Sequence, residues 1–177
     1  VTADMVEKEN PDAVIVACGS SYIHPSLPGI DLDCVRTLAQ VEHRTAPVGD
    51  RVVVCGGGTV GVECALMLAM EGKNVTVLDM ISREQVLDIP GFNGVEVRLL
   101  LDKYSVEICG GEKITGFENG RVNTVDSYGT VHSHEADTFV IAMGVKPNSA
   151  LAEELLAKYS QGVYVIGDCA GTKRTIF

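Results

Sequence analysis

The sequence predicts an α/β fold built on a parallel sheet that carries an antiparallel three-stranded meander. Two kinds of pattern support this prediction. Continuous apolar runs bounded by turn residues are typical of strands covered on both faces, and they occur at residues 13–17, 51–55 and 138–142. Residues 114–132 instead form short alternating segments separated by Asn-Gly and Tyr-Gly pairs, both of which favour tight turns.

The amino-terminal part contains one predicted strand and little other regular structure. Residues 1–10 are polar and compatible with a helix, which Asn10-Pro11-Asp12 ends. The strand at residues 13–17 follows. Residues 22–49 contain three prolines and no sustained period, so they are predicted to be a connection with one short helix at residues 38–41.

A complete βαβ unit comes next. The strand at residues 51–55 leads into a helix at residues 58–71, whose apolar positions keep close to a 3.6-residue period. The alternation continues with a strand at 75–78, a helix at 95–104 and a strand at 106–108. The later predicted elements are the meander strands at 114–117, 121–125 and 130–132, the buried strand at 138–142, a helix at 151–156 and a strand at 162–166.

The distribution of these elements predicts an insertion. Residues 1–45 and 150–177 each carry a buried strand with no helical partner of their own, whereas residues 46–149 form a complete unit. We therefore expect a domain at 46–149 inserted into a split outer domain.

The glycine-rich turn at residues 56–61 is the strongest functional motif. Gly56 lets the chain turn out of the strand, Gly58 lets backbone N–H groups approach a pyrophosphate, and Gly61 lets the helix pack close to the sheet. The helix start offers N–H donors and a positive dipole end to phosphates. This pattern predicts a Rossmann-like dinucleotide-binding unit. The loop is completed by Gly57, Thr59 and Val60.

Asp79 closes the next apolar run, about 20 residues beyond the loop, where a carboxylate can bind both hydroxyls of an adenosine ribose. Met80 is assigned to the same site. The structural alternative is that Asp79 caps a strand end or a helix start. Because a carboxylate repels a 2′-phosphate, NADH is expected to be preferred over NADPH, although Arg83 keeps NADPH open as an alternative.

The charge balance excludes several classes of partner. With a formal net charge of −10 the chain has no basic stripe to neutralise phosphates, so neither nucleic acid nor an anionic membrane is expected. No apolar run approaches the roughly 20 residues that span a bilayer. The first residues are polar and acidic, unlike those of a signal peptide.

The scattered cysteines and histidines do not predict a metal site. None of the six cysteines forms a CxxC or CxxxxC pair, so free thiols and a reducing, cytoplasmic location are expected. His132, His134 and Glu135 are interpreted as surface side chains, because a zinc site needs three or four convergent ligands. No residue is assigned as a general acid, base or nucleophile, which fits hydride transfer between cofactors.

Four segments carry a resemblance to a known family: residues 11–19, 56–63, 141–148 and 162–169. In this order they resemble the two-dinucleotide-binding-domain flavoproteins, the FAD-dependent pyridine nucleotide-disulfide oxidoreductase superfamily. The chain is most similar to the C-terminal part of NADH:flavin oxidoreductases of the 2-enoate reductase and 2,4-dienoyl-CoA reductase kind. The resemblance implies an NAD(P)-binding domain at 46–149, flanked by pieces of a second, FAD-binding Rossmann-like domain.

The resemblance also assigns site residues. It implies that Asp168 binds a ribityl hydroxyl of FAD, that Gly167 lets the backbone approach the isoalloxazine, and that Glu63 lies near the nicotinamide. Gly19 ends the strand that returns from the flavin domain. The end of the strand that leaves the nicotinamide domain joins the site through Ala142, Met143 and Gly144. Hydride is expected to pass from nicotinamide C4 to flavin N5.

Two departures from the family pattern are visible. Cys18 stands where threonine is usual, and a thiol is a weaker hydrogen-bond partner than a hydroxyl. The first flavin βαβ unit is absent, as are the N-terminal barrel with FMN and the cysteines for a 4Fe-4S cluster. We therefore expect a fragment of a larger enzyme, inactive alone, whose missing N-terminal domain is a partner; self-association through unpaired strand edges is also open.

The favoured function is that of an NADH-dependent flavoprotein oxidoreductase, which passes hydride to FAD for reduction of an enoate or enoyl-CoA-like double bond. Two alternatives stay open. One is a disulfide or ferredoxin/rubredoxin reductase of the same superfamily, which a redox cysteine pair would distinguish. The other is a non-catalytic NAD(H)-sensing module.

Overall fold

The computed structural model describes residues 1–89 and 94–172. The helices are α1 (Ala3–Glu9), α2 (Leu38–Glu42), α3 (Thr59–Met70), α4 (Arg83–Leu87), α5 (Gly94–Lys103) and α6 (Ala150–Lys158). The strands are β1 (Val14–Val16), β2 (Ser20–Tyr22), β3 (Val35–Thr37), β4 (Arg51–Cys55), β5 (Asn74–Asp79), β6 (Glu107–Gly110), β7 (Glu112–Glu118), β8 (Arg121–Asp126), β9 (Val131–Glu135), β10 (Thr138–Ile141), β11 (Val145–Pro147) and β12 (Val163–Val165).

These elements form two compact units. The continuous unit is His24–Gly144. The split unit consists of Val1–Ile23 together with the described residues from Val145 onward. No helix in the described residues is long and apolar enough to cross a membrane.

The continuous unit is built on a parallel sheet with the strand order β3-β10-β4-β5-β6. Successive side chains of β4 point to opposite faces. Val52 and Val54 enter the core that contains Leu68 of α3. Val53 and Cys55 enter a second core on the other face. The sheet is therefore covered on both sides, which explains why its strands read as uninterrupted apolar runs.

The second core is closed by the antiparallel meander of β7, β8 and β9. Its inward side chains include Phe117 and Val122, which pack against Phe139 of β10. The rings of Phe117 and Phe139 lie 5.7 Å apart with a tilt of 54°, a geometry that aromatic pairs favour. The predicted α/β fold with a parallel sheet and an antiparallel meander is thus confirmed.

The split unit contains two small sheets. β1 pairs with β12 in parallel, and β2 pairs with β11 in antiparallel fashion. Side chains from α1 and α6, among them Ala3 and Leu155, pack with Val16 on one face of the β1–β12 pair. Ile15 and Tyr164 lie directly opposite each other in this pair and are 68% and 59% exposed. One face of this sheet is therefore apolar and open.

The unit boundaries differ from the expected domain limits of 45/46 and 149/150, because they fall at 23/24 and 144/145. The predicted connection at 22–49 contains the unpredicted strand β3, in which Val35 pairs with Phe139 of β10. Leu38 and Val41 of α2 are buried in the helix-side core of the same unit. These contacts attach residues 24–45 to the continuous unit. The strands β2 and β11 and the helix α4 were also not predicted.

Candidate functional site

The carboxyl ends of β4, β5 and β10 meet at one edge of the parallel sheet. From β4 the chain continues to β5 on one side, and it returns later as β10 on the other side. In α/β sheets ligands bind in the crevice beyond the strand ends where the strand order changes direction. Residues 56–61 leave β4 at this point.

Gly56 and Gly61 fix the path of the glycine loop. Gly56 has φ +123°, and a Cβ built on it would lie 2.3 Å from the carbonyl oxygen of Ala142. Its N–H donates to Leu78 O at 2.8 Å, while the Ala142 N–H donates to Cys55 O at 2.8 Å. A Cβ on Gly61 would lie 2.0 Å from the carbonyl oxygen of Gly56. The absence of side chains therefore lets α3 start directly against the strand ends.

The first turn of α3 is presented to the crevice without a side-chain cap. Gly58 is the N-cap residue, and it is exposed. A Cβ on Gly58 would have no heavy atom within 4 Å. Thr59 is half-buried and Val60 is exposed. Uncapped first-turn N–H groups next to open space form a favourable place for an anion.

The Asp79 carboxylate joins the loop to the end of β5. The Gly57 N–H donates to its Oδ2 at 2.5 Å, and the Ile81 N–H donates to its Oδ1 at 3.0 Å. The alternative role of Asp79, in which its side chain caps the strand end, is therefore consistent with these hydrogen bonds. Because these are one bond per oxygen, and a carboxylate accepts about four hydrogen bonds, Asp79 retains acceptor capacity for a ligand.

The other residues assigned to the nicotinamide end and the adenosine end lie at the same strand edge or on α3. Met80 follows Asp79 and is 67% exposed. Met143 is half-buried, and Gly144 is exposed with φ +91°. Glu63 is exposed early in α3.

A second cluster lies in the split unit, at the carboxyl ends of the parallel pair β1–β12. Gly19 and Gly167 have φ of +66° and +67°. The Ser20 hydroxyl donates to Asp168 Oδ2 at 3.0 Å. The structure therefore brings Gly19 close to Gly167 and Asp168, the two residues that the resemblance assigned to a flavin.

Sequence reasoning missed Asn148, which fixes this second cluster. Its side-chain amide donates to Cys18 O at 3.0 Å, and its Oδ1 accepts from the Ser21 hydroxyl at 2.7 Å. Its backbone N–H donates to Gly19 O at 3.0 Å. The partners are about 130 residues apart in sequence, so no local pattern could have indicated these contacts.

Three thiols of the continuous unit, those of Cys55, Cys64 and Cys109, are poor nucleophiles. Burial raises the pKa of Cys64 to about 12 and that of Cys109 to about 11. Burial also raises the pKa of Cys55. The thiolate is the reactive form of cysteine, so these three residues have structural roles.

The histidines of β9 face carboxylates. His134 Nε2 lies 2.7 Å from Glu112 Oε2, and His132 Nε2 lies 3.2 Å from Asp126 Oδ2. The His132 side chain is 39% exposed and that of His134 is 22% exposed. Within residues 1–89 and 94–172 no group of three or more His, Cys, Asp or Glu is arranged to hold a metal.

The comparisons with known proteins agree with this architecture. The sequence profile of the family described as pyridine nucleotide-disulphide oxidoreductase matches residues 2–176. The bilirubin reductase of Mediterraneibacter gnavus is 36% identical over 172 residues, which cover 94% of this chain and 26% of that protein. The NADH oxidase of Enterococcus faecalis is 30% identical over 167 residues, which cover 89% of this chain and 36% of that protein.

A solved structure gives the same result in three dimensions. The structure of 2-naphthoyl-CoA reductase in complex with 2-naphthoyl-CoA superimposes with a TM-score of 0.85 at 31% identity. The match covers 98% of this chain and 26% of that one. The chain therefore spans about a quarter to a third of the length of these relatives.

Proposed function

This chain belongs to the pyridine nucleotide-disulphide oxidoreductase family, and we propose that its continuous unit binds a nicotinamide adenine dinucleotide, with NADH preferred over NADPH. The observation that carries the proposal is the meeting of the uncapped start of α3 with the Asp79 carboxylate at the carboxyl edge of the sheet. The start of α3 suits a pyrophosphate and the Asp79 carboxylate suits a ribose diol, and a dinucleotide contains both groups.

The proposed contacts follow the order of the groups in the ligand. The start of α3, with Gly58, Thr59 and Val60, receives the pyrophosphate. The remaining acceptor positions of Asp79 bind the adenosine ribose, and the exposed Met80 gives the adenine an apolar surface. A 2′-phosphate would bring about two negative charges next to this carboxylate, which is why NADH is preferred.

The nicotinamide end is assigned to the end of β10. Ala142 packs against Gly56 and Gly61 and so fixes the floor of the crevice. Met143 and Gly144 continue from it, and Glu63 is the polar side chain proposed to orient the carboxamide or ribose. These residues bind and orient the ring, and none of them is assigned an acid–base role.

We propose that the split unit contributes part of an FAD site through Gly19, Gly167 and Asp168. FAD, when bound, supplies the acceptor for hydride from the nicotinamide. Asp168 Oδ2 accepts from the Ser20 hydroxyl, and the carboxylate keeps further acceptor positions for a ribityl hydroxyl. The two positive-φ glycines leave the backbone at the strand ends free of side chains.

The final acceptor is proposed to be an enoate or enoyl-CoA-like double bond. Similarity to 2-naphthoyl-CoA reductase, whose structure holds a CoA ester, supports this choice. In this proposal the acceptor site, FMN and a 4Fe-4S cluster belong to another domain of the enzyme.

Calorimetric titration of the purified chain with NADH, and with NADPH in parallel, tests the proposal. We expect a dissociation constant on the order of 10 µM for NADH and roughly tenfold weaker binding of NADPH. Adenosine diphosphate ribose, which lacks the nicotinamide, is the control that isolates the loop and Asp79 from the end of β10. Absence of binding by all three would overturn the assignment of this unit.

A further inference from the structure

Helix α4 lies directly behind the glycine loop. Its buried residue Val86 is 3% exposed and belongs to the helix-side core. A Cβ built on Gly57 would lie 2.8 Å from Val86 Cγ2 and 2.9 Å from Cγ1. Because nonbonded carbon atoms prefer roughly 3.5–4.0 Å, the Val86 side chain occupies the space that any side chain at position 57 would need.

Asp79 also contacts Gly57. The Gly57 N–H donates to Asp79 Oδ2 at 2.5 Å. The Asp79 Cβ would lie 3.2 Å from a Cβ on Gly57. The Gly57 peptide thus packs against the isopropyl group of Val86 and donates to the Asp79 carboxylate, so its orientation and that of the carboxylate depend on each other.

Helix α4 is itself anchored to the end of β6. A Cβ on Gly110 would lie 2.2 Å from the backbone nitrogen of Arg83, and the Gly111 N–H donates to Ile81 O at 2.7 Å. Ser82 and Gln85 cap the start of α4 reciprocally. Val86 is therefore carried by a helix that is held close to the strand ends.

We propose that Val86 is a positioning residue for dinucleotide binding. It acts through Gly57 and keeps the loop peptide and the Asp79 carboxylate in the arrangement that receives the pyrophosphate and the ribose. The identity of the ligand rests on the proposed function, whereas the packing of Val86 on Gly57 is a property of this chain alone.

This contact is tested by enlarging the side chain at position 57 and shortening the one at position 86. Gly57→Ala adds a methyl group where Val86 stands, and we expect NADH binding to weaken by roughly fiftyfold. Val86→Ala removes both Cγ atoms, and we expect about fivefold weaker binding because the loop loses its support. In the double variant the methyl group gained at position 57 enters the space vacated at position 86. We therefore expect the double variant to bind at least about fivefold more tightly than Gly57→Ala alone.

Val75→Ala is the matched control. Val75 is a buried valine of the same core, but it lies near the amino end of β5, away from the loop. We expect it to lower thermal stability about as much as Val86→Ala while changing NADH affinity less than about twofold. Equal loss of NADH affinity in the two variants would overturn the positioning role, since both losses would then reflect general destabilisation.

Amide hydrogen exchange of Gly57 gives a readout that needs no ligand. We expect Val86→Ala to accelerate this exchange about tenfold relative to Val75→Ala.

Should Gly57→Ala fail to fold, the comparison of Val86→Ala with Val75→Ala decides the question. If the unmodified chain binds no NADH, the proposed function fails. The exchange measurement then still supports the packing role if Gly57 is selectively accelerated, and overturns it if it is not.

Discussion

The two units of this chain differ in how the faces of their parallel strands are covered. In the continuous unit the parallel sheet is covered by helices on one face and by the meander on the other, and Val54 is fully buried. In the split unit the parallel pair β1–β12 is covered on one face only, and Ile15 and Tyr164 remain exposed on the other. Parallel strands are normally buried on both faces. The proposed site of the continuous unit therefore lies at the edge of a sheet that this unit covers on both faces. The proposed site of the split unit lies at the end of a strand pair that is covered on one face only.

The largest expected effect is the loss of stability caused by a substitution at Gly61, which packs inside the continuous unit. Gly61→Ala places a Cβ against the carbonyl oxygen of Gly56, and we expect about 3 kcal/mol of lost unfolding free energy in a urea titration. Gly58→Ala is the matched control, because a Cβ there meets nothing within 4 Å. It should change stability by less than about 0.5 kcal/mol, yet weaken NADH binding about tenfold by obstructing the pyrophosphate. Unchanged stability of Gly61→Ala would contradict the packing described for this unit.

The difference in sheet coverage is tested by one substitution in each unit. Val54→Thr buries a hydroxyl in the covered sheet, and we expect it to cost about 2 kcal/mol in urea unfolding. Ile15→Thr changes an exposed residue of the open face, and its expected effect is below about 0.5 kcal/mol. If the two substitutions cost the same, the open face of β1–β12 is covered in solution, for example by a second copy of the chain.

Two aspartates distinguish the two proposed sites: Asp79 ends β5, and Asp168 lies in the turn that follows β12. Asp79→Asn removes the charge that disfavours a 2′-phosphate, so we expect the preference for NADH over NADPH to fall by roughly tenfold in parallel titrations. Asp168→Asn should leave both affinities within about twofold, because this residue lies in the split unit, where its carboxylate accepts from the Ser20 hydroxyl. A change in dinucleotide affinity caused by Asp168→Asn would contradict the assignment of this residue to a different ligand.

The smallest expected effect is on the pH dependence of stability, through Glu112 of the meander. Although partial burial opposes ionisation, hydrogen bonds from Thr124 and His134 lower the pKa of Glu112 below its ordinary value of 4.5. A lowered folded pKa contributes stability that is present above pH 4.5 and is lost as the pH falls through the folded value. Glu112→Gln should therefore flatten the loss of stability below pH 4.5, measured by thermal unfolding between pH 7 and about 3. Glu135→Gln, an exposed change in the same sheet, should leave the profile unchanged.

Much of the fold could be predicted because its main elements are long and strongly patterned. The strand β4 is an unbroken apolar run, the helix α3 begins at a glycine-rich turn, and the meander alternates between turn pairs; their predicted bounds agree with the structure to within a few residues. The strands β2, β3 and β11 span three residues each, too few for a period to be visible. Val35 is in a strand because it pairs with Phe139. The sequence of residues 22–49 alone gives no indication of that contact.

The placement of the loop and carboxylate of the candidate site could also be predicted. The glycine spacing and the distance to Asp79 placed the loop and the carboxylate at one edge of the sheet, and the structure joins them by a hydrogen bond. Val86 was missed because its proposed role depends on its contact with Gly57, which lies on another element. A local pattern was available, however: Ser82 and Gln85 form a capping box that indicates a helix start directly after the strand.

The hydrogen bond between Gly57 and Asp79 also has a consequence for how the chain folds. The two residues are 22 positions apart, and they meet only when β4 and β5 are paired with Cys55 opposite Leu78. A partly folded chain without that register has the glycine sequence but no receptive loop. Any ligand of the loop therefore binds the folded unit selectively and shifts the equilibrium towards it by mass action, so the midpoint of thermal unfolding should rise with ligand concentration.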